Sequence, residues 1–189
     1  MVNKKTAVIG DPIDHSLSPK IHKHWIERER IDVAAYQKIN IKKENFSRDV
    51  DRLIEEGYYG LNVTVPLKED AYKYCDNTSD VARTLKAVNT LIVNKDGVYG
   101  DNTDPIGFEK SIANRGLNNK SCLVLGAGGS ARAVVYALTH MKCEIGIYNR
   151  TRVNAEMLCS DLGVEATVLT EKTISEFIRS SHLVVNTTS

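Results

Sequence analysis

Short apolar runs closed by glycine or proline alternate along this chain with longer segments whose apolar residues recur every three or four positions. Residues 6–9 form the first run, closed by Gly10, Asp11 and Pro12, and predict a buried strand entering a turn. Ser18 before Pro19 predicts a helix over 19–30 with Ser18 as its cap, because proline at the first helical position loses no hydrogen bond. Residues 35–41 alternate as a strand. Residues 42–56 place Phe46, Val50, Leu53 and Ile54 on one face of a charged amphipathic helix that Gly57 stops. Residues 59–65 predict a second buried strand, after which Pro66 turns the chain into a short helix near Lys68. Ser79 or Thr78 caps a further helix to about Lys86, and residues 87–93 with 98–99 predict a hairpin across Asn94 to Gly97. Strand and helix alternate here, so the sheet should be mostly parallel.

Beyond Lys120 the pattern sharpens. Residues 122–125 are wholly apolar, and Gly126-Ala127-Gly128-Gly129-Ser130-Ala131 follows at once. Helices are predicted over 131–141, 153–162 and 174–179, and strands over 144–148, 166–169 and 183–185, a βαβαβαβ series. A helix over 104–116, ended by Gly116, should connect the two halves. The fold class is therefore α/β, with a mostly parallel domain over 1–103, a connecting helix over 104–116 and a second, parallel domain over 117–189. No internal repeat is present.

A length of 189 residues suits one large domain or two small ones. Hydrophobic residues at 42% and charged residues at 26% match a globular chain and disfavour extensive disorder or a membrane-embedded class. The formal charge of +1 gives no electrostatic case for nucleic acid or an anionic membrane as partner. Cys75, Cys122, Cys143 and Cys159 lack C-x-x-C or metal-ligand spacing and read as reduced, mostly buried thiols. The apolar run after the first lysines is too short for a signal-peptide core, and no stretch approaches the 18 apolar residues of a membrane span, so a cytoplasmic protein is expected. His22 and His24 point to different faces of one predicted helix and define no metal site.

Gly126-x-Gly128-x-x-Ala131 stands between a predicted strand and a predicted helix, the context a dinucleotide fingerprint of the Rossmann type requires. The first glycine makes the tight turn, the second admits a pyrophosphate to the backbone, and the small third residue allows close helix packing. At the end of the next strand an acidic residue would bind the ribose of NAD, but Asn149-Arg150-Thr151-Arg152 stands there. Guanidinium and hydroxyl donors suit the 2′-phosphate of NADP, unless Arg150 and Arg152 are solvated loop charges. Lys68 follows a buried strand on the side where open α/β sheets bind ligands, although a lysine after proline is ordinarily a surface charge. The stretches from Ser16 to Pro19 and from Gly100 to Asp104 are polar clusters that also read as helix caps, Asp or Thr serving at the second.

Taken in order, His15-Ser16-Leu17-Ser18-Pro19, Asn62-Val63-Thr64-Val65-Pro66-Leu67-Lys68, Ala87-Val88-Asn89-Thr90, Asn102-Thr103-Asp104, Gly126-Ala127-Gly128-Gly129 and Asn149-Arg150-Thr151 resemble the successive signatures of the shikimate dehydrogenases. The resemblance covers the whole chain. It implies a two-domain oxidoreductase of aromatic amino-acid (chorismate) biosynthesis, which reduces 3-dehydroshikimate to shikimate with NADPH. It implies that Ser16 and Ser18 hold the substrate carboxylate, and that Asn62, Thr64, Asn89 and Asp104 bind ring hydroxyls and support the lysine. Lys68 and Asp104 are the pair it associates with catalysis. Gly126, Ala127, Gly128, Gly129, Ser130, Ala131, Asn149, Arg150, Thr151, Arg152 and Thr187 are the cofactor-binding residues it implies. Lysine suits the chemistry, since hydride delivery to a ketone builds an alkoxide that a cation stabilises and protonates.

Two departures qualify the resemblance. Position 154 is Asn where the family often carries a further basic residue, and the sequence ends at Ser189, inside a segment similar to the family's N-T-T-S-x-G-M. That ending implies a Rossmann domain truncated at its C-terminus, with low activity in the 189-residue chain. The alternatives are a quinate/shikimate dehydrogenase using NAD and a ligand-binding fragment without turnover. The expected partner is a small molecule, and the chain should be a monomer or a homodimer.

Overall fold

A computed structural model describes residues 4–33 and 35–188. It divides into two compact units, Met1–Asn102 and Thr103–Ser189.

The first unit runs β1 (Lys5–Gly10), α1 (Ser18–Glu29), β2 (Ala35–Asn40), α2 (Phe46–Glu55), β3 (Tyr58–Val63), α3 (Lys68–Tyr74), β4 (Asn77–Thr78), α4 (Asp80–Leu85), β5 (Thr90–Asn94) and β6 (Gly97–Asp101). Its sheet has the order β2-β1-β3-β5-β6-β4. β1 pairs in parallel with both β2 and β3, and β4 with β6, while β5 is antiparallel to β3 and β6. Alternate residues Ala7, Ile9, Leu61, Val63 and Leu91 bury one sheet face against Phe46, Val50 and Leu53 of α2 and against Leu67 and Ala71. Ile54, expected on the same helix face, is partly buried there.

Several local expectations change in this unit. Ser18 is the first helical residue and not the cap; Leu17 holds the cap position, and the Ser16 hydroxyl accepts the Ser18 N–H at 3.3 Å. Of the two candidate caps for α4, Ser79 serves, its Oγ accepting from the Ala82 N–H at 3.1 Å. Residues 87–89 are a connecting loop and not part of β5, since Val88 donates to the Lys68 carbonyl and Asn89 to the Asp101 carbonyl. β4 was not expected, because two residues are too few to show a period.

In the second unit α5 (Asp104–Ile112) precedes β7 (Ser121–Leu125), α6 (Gly129–His140), β8 (Glu144–Tyr148), α7 (Arg152–Leu162), β9 (Thr167–Val168), α8 (Ile174–Ser180) and β10 (Leu183–Asn186). The order β10-β7-β8-β9 is parallel throughout. After Ser121, β7 is apolar from Cys122 to Leu125, as befits a strand of a parallel sheet whose faces helices cover. Arg132 of α6 and Asp161 of α7 form an ion pair at 2.6 Å. Thr103 occupies the cap position of α5 without a side-chain capping bond. Asp101, the other capping candidate, accepts the Ser79 hydroxyl at 2.6 Å and the Asn102 N–H at 2.8 Å instead.

Cys122 is buried, whereas Cys75, Cys143 and Cys159 are half-buried, more open than expected. Burial, then neighbouring Cys143, distant in sequence, pushes the Cys122 thiol up to about 12, while Cys143 Sγ donates to the Leu117 carbonyl at 3.2 Å. Among the described residues no helix is long and apolar enough to cross a membrane.

Gly100 is closely packed within the first unit. A methyl there would lie 2.5 Å from Cys75 Sγ and 2.7 Å from Val88 Cγ2, both inside the core. Gly100→Ala should therefore cost about 1–3 kcal/mol through overpacking. Urea denaturation of the two proteins checks this.

Candidate functional site

Six of the seven residues expected to face substrate lie in the first unit, around the carboxyl ends of β1 and β3. Ser16 and Ser18 flank the entry to α1, where the Ser16 N–H donates to the Ile13 carbonyl at 3.0 Å. Asn62 is the penultimate residue of β3, in register with Val8 of β1 and Thr90 of β5. Thr64 follows β3 and is held by two backbone bonds, its N–H to the Ile9 carbonyl at 2.9 Å and its carbonyl from the Leu67 N–H at 3.0 Å. This approach needs Gly10, because a methyl at that position would meet Thr64 Cγ2 at 2.6 Å and the Val65 carbonyl at 3.1 Å.

Lys68 is the first residue of α3 and half-buried. Its carbonyl accepts the Val88 N–H at 2.8 Å, and the Asn89 carbonyl accepts the Val63 N–H at 2.8 Å. These bonds stitch the Lys68 turn to the loop that presents Asn89. Asn102, buried and absent from the expected site, secures the same loop by donating from Nδ2 to the Ala87 carbonyl at 2.8 Å. Asp104 belongs to the second unit, where it begins α5.

Two further side chains join these groups. The Tyr36 hydroxyl donates to Asn62 Oδ1 at 2.8 Å. Its ring stacks on His22, with centroids 3.9 Å apart and planes 6° from parallel. Burial pushes the Tyr36 phenol up to about 12 and lowers the His22 imidazole from 6.5, so at neutral pH both are uncharged. Asn62 Nδ2 donates to Thr90 Oγ1 at 3.3 Å, and the Thr90 hydroxyl donates to Asn89 Oδ1 at 2.9 Å. Sequence reasoning quoted Thr90 within a motif without a role and read Tyr36 only as a strand residue. The period-two pattern carried the missed signal, since Tyr36 and Asn62 lie on strands that flank β1 and face the same side.

In the second unit Gly126 takes φ +110° directly after β7, and its N–H donates to the Tyr148 carbonyl at 2.8 Å. Gly128 is the cap residue of α6, which no side chain caps, and the space in front of its Cα is open to 4 Å. Gly129, Ser130 and buried Ala131 form the first turn. An open glycine edge and an uncapped helix start suit a phosphate group. Thr187 backs this turn: its N–H and hydroxyl both donate to the Leu125 carbonyl, at 2.8 and 2.6 Å, and a methyl on Gly126 would collide with its Oγ1.

The loop after β8 is pinned by Asn149 Nδ2 donating to the Thr151 carbonyl at 2.8 Å. Arg150, Thr151 and Arg152 are exposed. Arg152 pairs with Glu156 one turn along α7, Nε to Oε1 at 2.7 Å. No carboxylate stands at the end of β8. A shallow groove of about 400 Å³ lined by Glu144, Ile145, Val164, Glu165, Ala166 and Thr167 lies at the opposite, amino-terminal side of β8 and β9.

Comparison with known proteins agrees with this geometry. Residues 8–91 match the shikimate dehydrogenase substrate binding domain, and residues 109–189 match the shikimate / quinate 5-dehydrogenase domain. The chain is 40% identical over 184 residues to the NADP(+) shikimate dehydrogenase of Acidiphilium cryptum, covering 96% of this chain and 66% of the relative. The crystal structure of shikimate dehydrogenase from Aquifex aeolicus aligns with a TM-score of 0.88 at 35% identity, over 99% of this chain and 69% of that one. The chain belongs to the shikimate dehydrogenase family. A second family structure, the shikimate 5-dehydrogenase of Thermus thermophilus in complex with NADP(H) and shikimate, aligns with a TM-score of 0.83 at 33% identity, over 97% of this chain and 68% of that one. The chain spans about two thirds of the length of these relatives.

The two glycines of this family member's turn should respond differently to alanine. Gly126→Ala places a side chain at φ +110° against Thr187 and should cost about 1–3 kcal/mol. Gly128→Ala meets open space and should shift stability by no more than about 0.5 kcal/mol. Paired thermal melts decide whether the difference holds.

Proposed function

We propose that this chain acts as an NADP-dependent shikimate dehydrogenase, reversibly reducing 3-dehydroshikimate to shikimate in aromatic amino-acid biosynthesis. One observation carries the reading: the stretch that holds Asn62, Thr64 and Lys68 and the loop that holds Asn89 are tied together by hydrogen bonds, in the unit that also carries Ser16 and Ser18, beside a family match over that same unit. The Thermus relative, solved in complex with NADP(H) and shikimate, supports both ligands. A biosynthetic reduction drawing on NADPH belongs with the cytoplasmic pool of that cofactor.

In this reading the hydroxyls of Ser16 and Ser18 hold the shikimate carboxylate, and Asn62, Thr64, Asn89 and Asp104 serve the ring hydroxyls. NADPH, when bound, supplies the hydride. Lys68 places its ammonium at the carbonyl oxygen, stabilises the charge that develops there and delivers the proton. Gly126 to Ala131 receive the pyrophosphate. Arg150, with Asn149 and Thr151, reads the 2′-phosphate, while the Glu156 ion pair leaves Arg152 a secondary part.

Lys68→Ala should lower turnover about 10² to 10⁴-fold, the scale of a positioned acid, with a smaller effect on shikimate binding. NADPH absorbance with 3-dehydroshikimate gives the rate, and a folded variant that turns over at the wild-type rate removes Lys68 from the mechanism. Arg150→Ala should weaken NADP by roughly 1.5–3 kcal/mol and NAD far less. Calorimetric titration with both nucleotides reads the difference, and equal losses would mean that Arg150 only shapes the loop. Quinate tested beside shikimate distinguishes the two substrate readings.

A further inference from the structure

The bonds through Tyr36 and Thr90 form one directed series. Tyr36 Oη–H donates to Asn62 Oδ1, Asn62 Nδ2–H to Thr90 Oγ1, and Thr90 Oγ1–H to Asn89 Oδ1. The Thr90 hydroxyl has a single hydrogen, so it can give to only one of its two amide neighbours. Turning the Asn62 amide by 180° would face its two N–H groups toward Tyr36 and its oxygen toward Thr90. Thr90 would then have to give its hydrogen to Asn62 and withdraw it from Asn89. The Asn62 amide therefore cannot turn alone: the Thr90 hydrogen and the Asn89 amide would have to reverse with it.

We propose that Tyr36 and Thr90 are positioning residues that fix which donors and acceptors Asn62 and Asn89 present to shikimate. The proposal rests on the reading above that these two residues face the substrate. A polyol offers hydroxyls that both give and accept, so the site selects among orientations only if its own amides cannot turn. The phenol stays protonated at neutral pH, and the stacked His22 ring holds it in place across β1. Tyr36 and Thr90 act here through Asn62 and Asn89.

The test uses the 189-residue chain with shikimate and NADP titrated separately by calorimetry. Tyr36→Phe and Thr90→Val should each weaken shikimate about 5- to 100-fold, the range for leaving a buried polar group unsatisfied, and leave NADP unchanged. The double variant should lose little more than either single one, because the series is broken once at either step. Thr90→Ser, which keeps the hydroxyl, should bind as the wild type does. Wherever turnover is measured, KM for shikimate should rise while kcat stays within about twofold. Wild-type affinity in both single variants, losses that simply add, or Thr90→Ser binding as weakly as Thr90→Val each overturn the proposal. Nuclear magnetic resonance of the Asn62 side-chain amide without ligand separates the two levels. A wild type that ignores shikimate sinks the substrate reading, whereas an Asn62 amide signal unmoved by either variant sinks the series itself.

Discussion

Parallel pairing at the centre of each sheet is the constraint on which the remainder depends. β1 lies between β2 and β3 and runs parallel to both, and β7 stands in the same relation to β8 and β10. A parallel neighbour can be reached only by a crossover, so the carboxyl ends of the paired strands all open on one edge of the sheet. In the first unit that edge receives the turn after Gly10, which leads to Ser16 and Ser18, and the turn after Val63, which leads to Thr64 and Lys68. In the second it receives the glycine turn after Leu125 and the arginine loop after Tyr148. Chemistry gathers there because the strands have no other way to end together.

Close approach at those ends depends on missing side chains and on backbone bonds. Gly10 admits the Thr64–Val65 turn, Gly100 admits Cys75 and Val88, and Gly126 admits Thr187. The loop carrying Asn89 has no ladder of its own at residues 87–89, yet it is held by the Lys68 carbonyl, the Asp101 carbonyl, the Val63 N–H and the Asn102 amide. A polar loop packed this closely has to satisfy its backbone groups locally, and each bond that does so also fixes a neighbouring functional side chain.

Much of the second unit was legible in order. An apolar run, a glycine triplet, a helix and an alternating series of strands need only local periodicity to be recognised, and the glycine turn lies where that pattern places it. Short or irregular pieces were not legible. β4 has two residues, residues 87–89 are apolar enough to imitate a strand while forming a loop, and Ser18 imitates a cap while lying inside the helix whose cap position Leu17 holds. Local composition is ambiguous in such stretches because the deciding hydrogen bonds come from residues far away in the chain.

The sequence by itself determined the α/β class, the glycine turn, the absence of an acidic residue after β8 and the set of polar groups available for chemistry. All of these are properties of residue type at short spacing. Only the tertiary structure decided that Tyr36 reaches Asn62 across β1, that Thr90 links Asn62 to Asn89, that Glu156 engages Arg152, and that Cys122 meets Cys143. Apart from the single-turn Arg152 pair and the bond between adjacent Thr90 and Asn89, these contacts join residues remote in sequence. Side-chain reach and hydrogen-bond direction, which no periodicity encodes, come into being only when the strands are laid side by side.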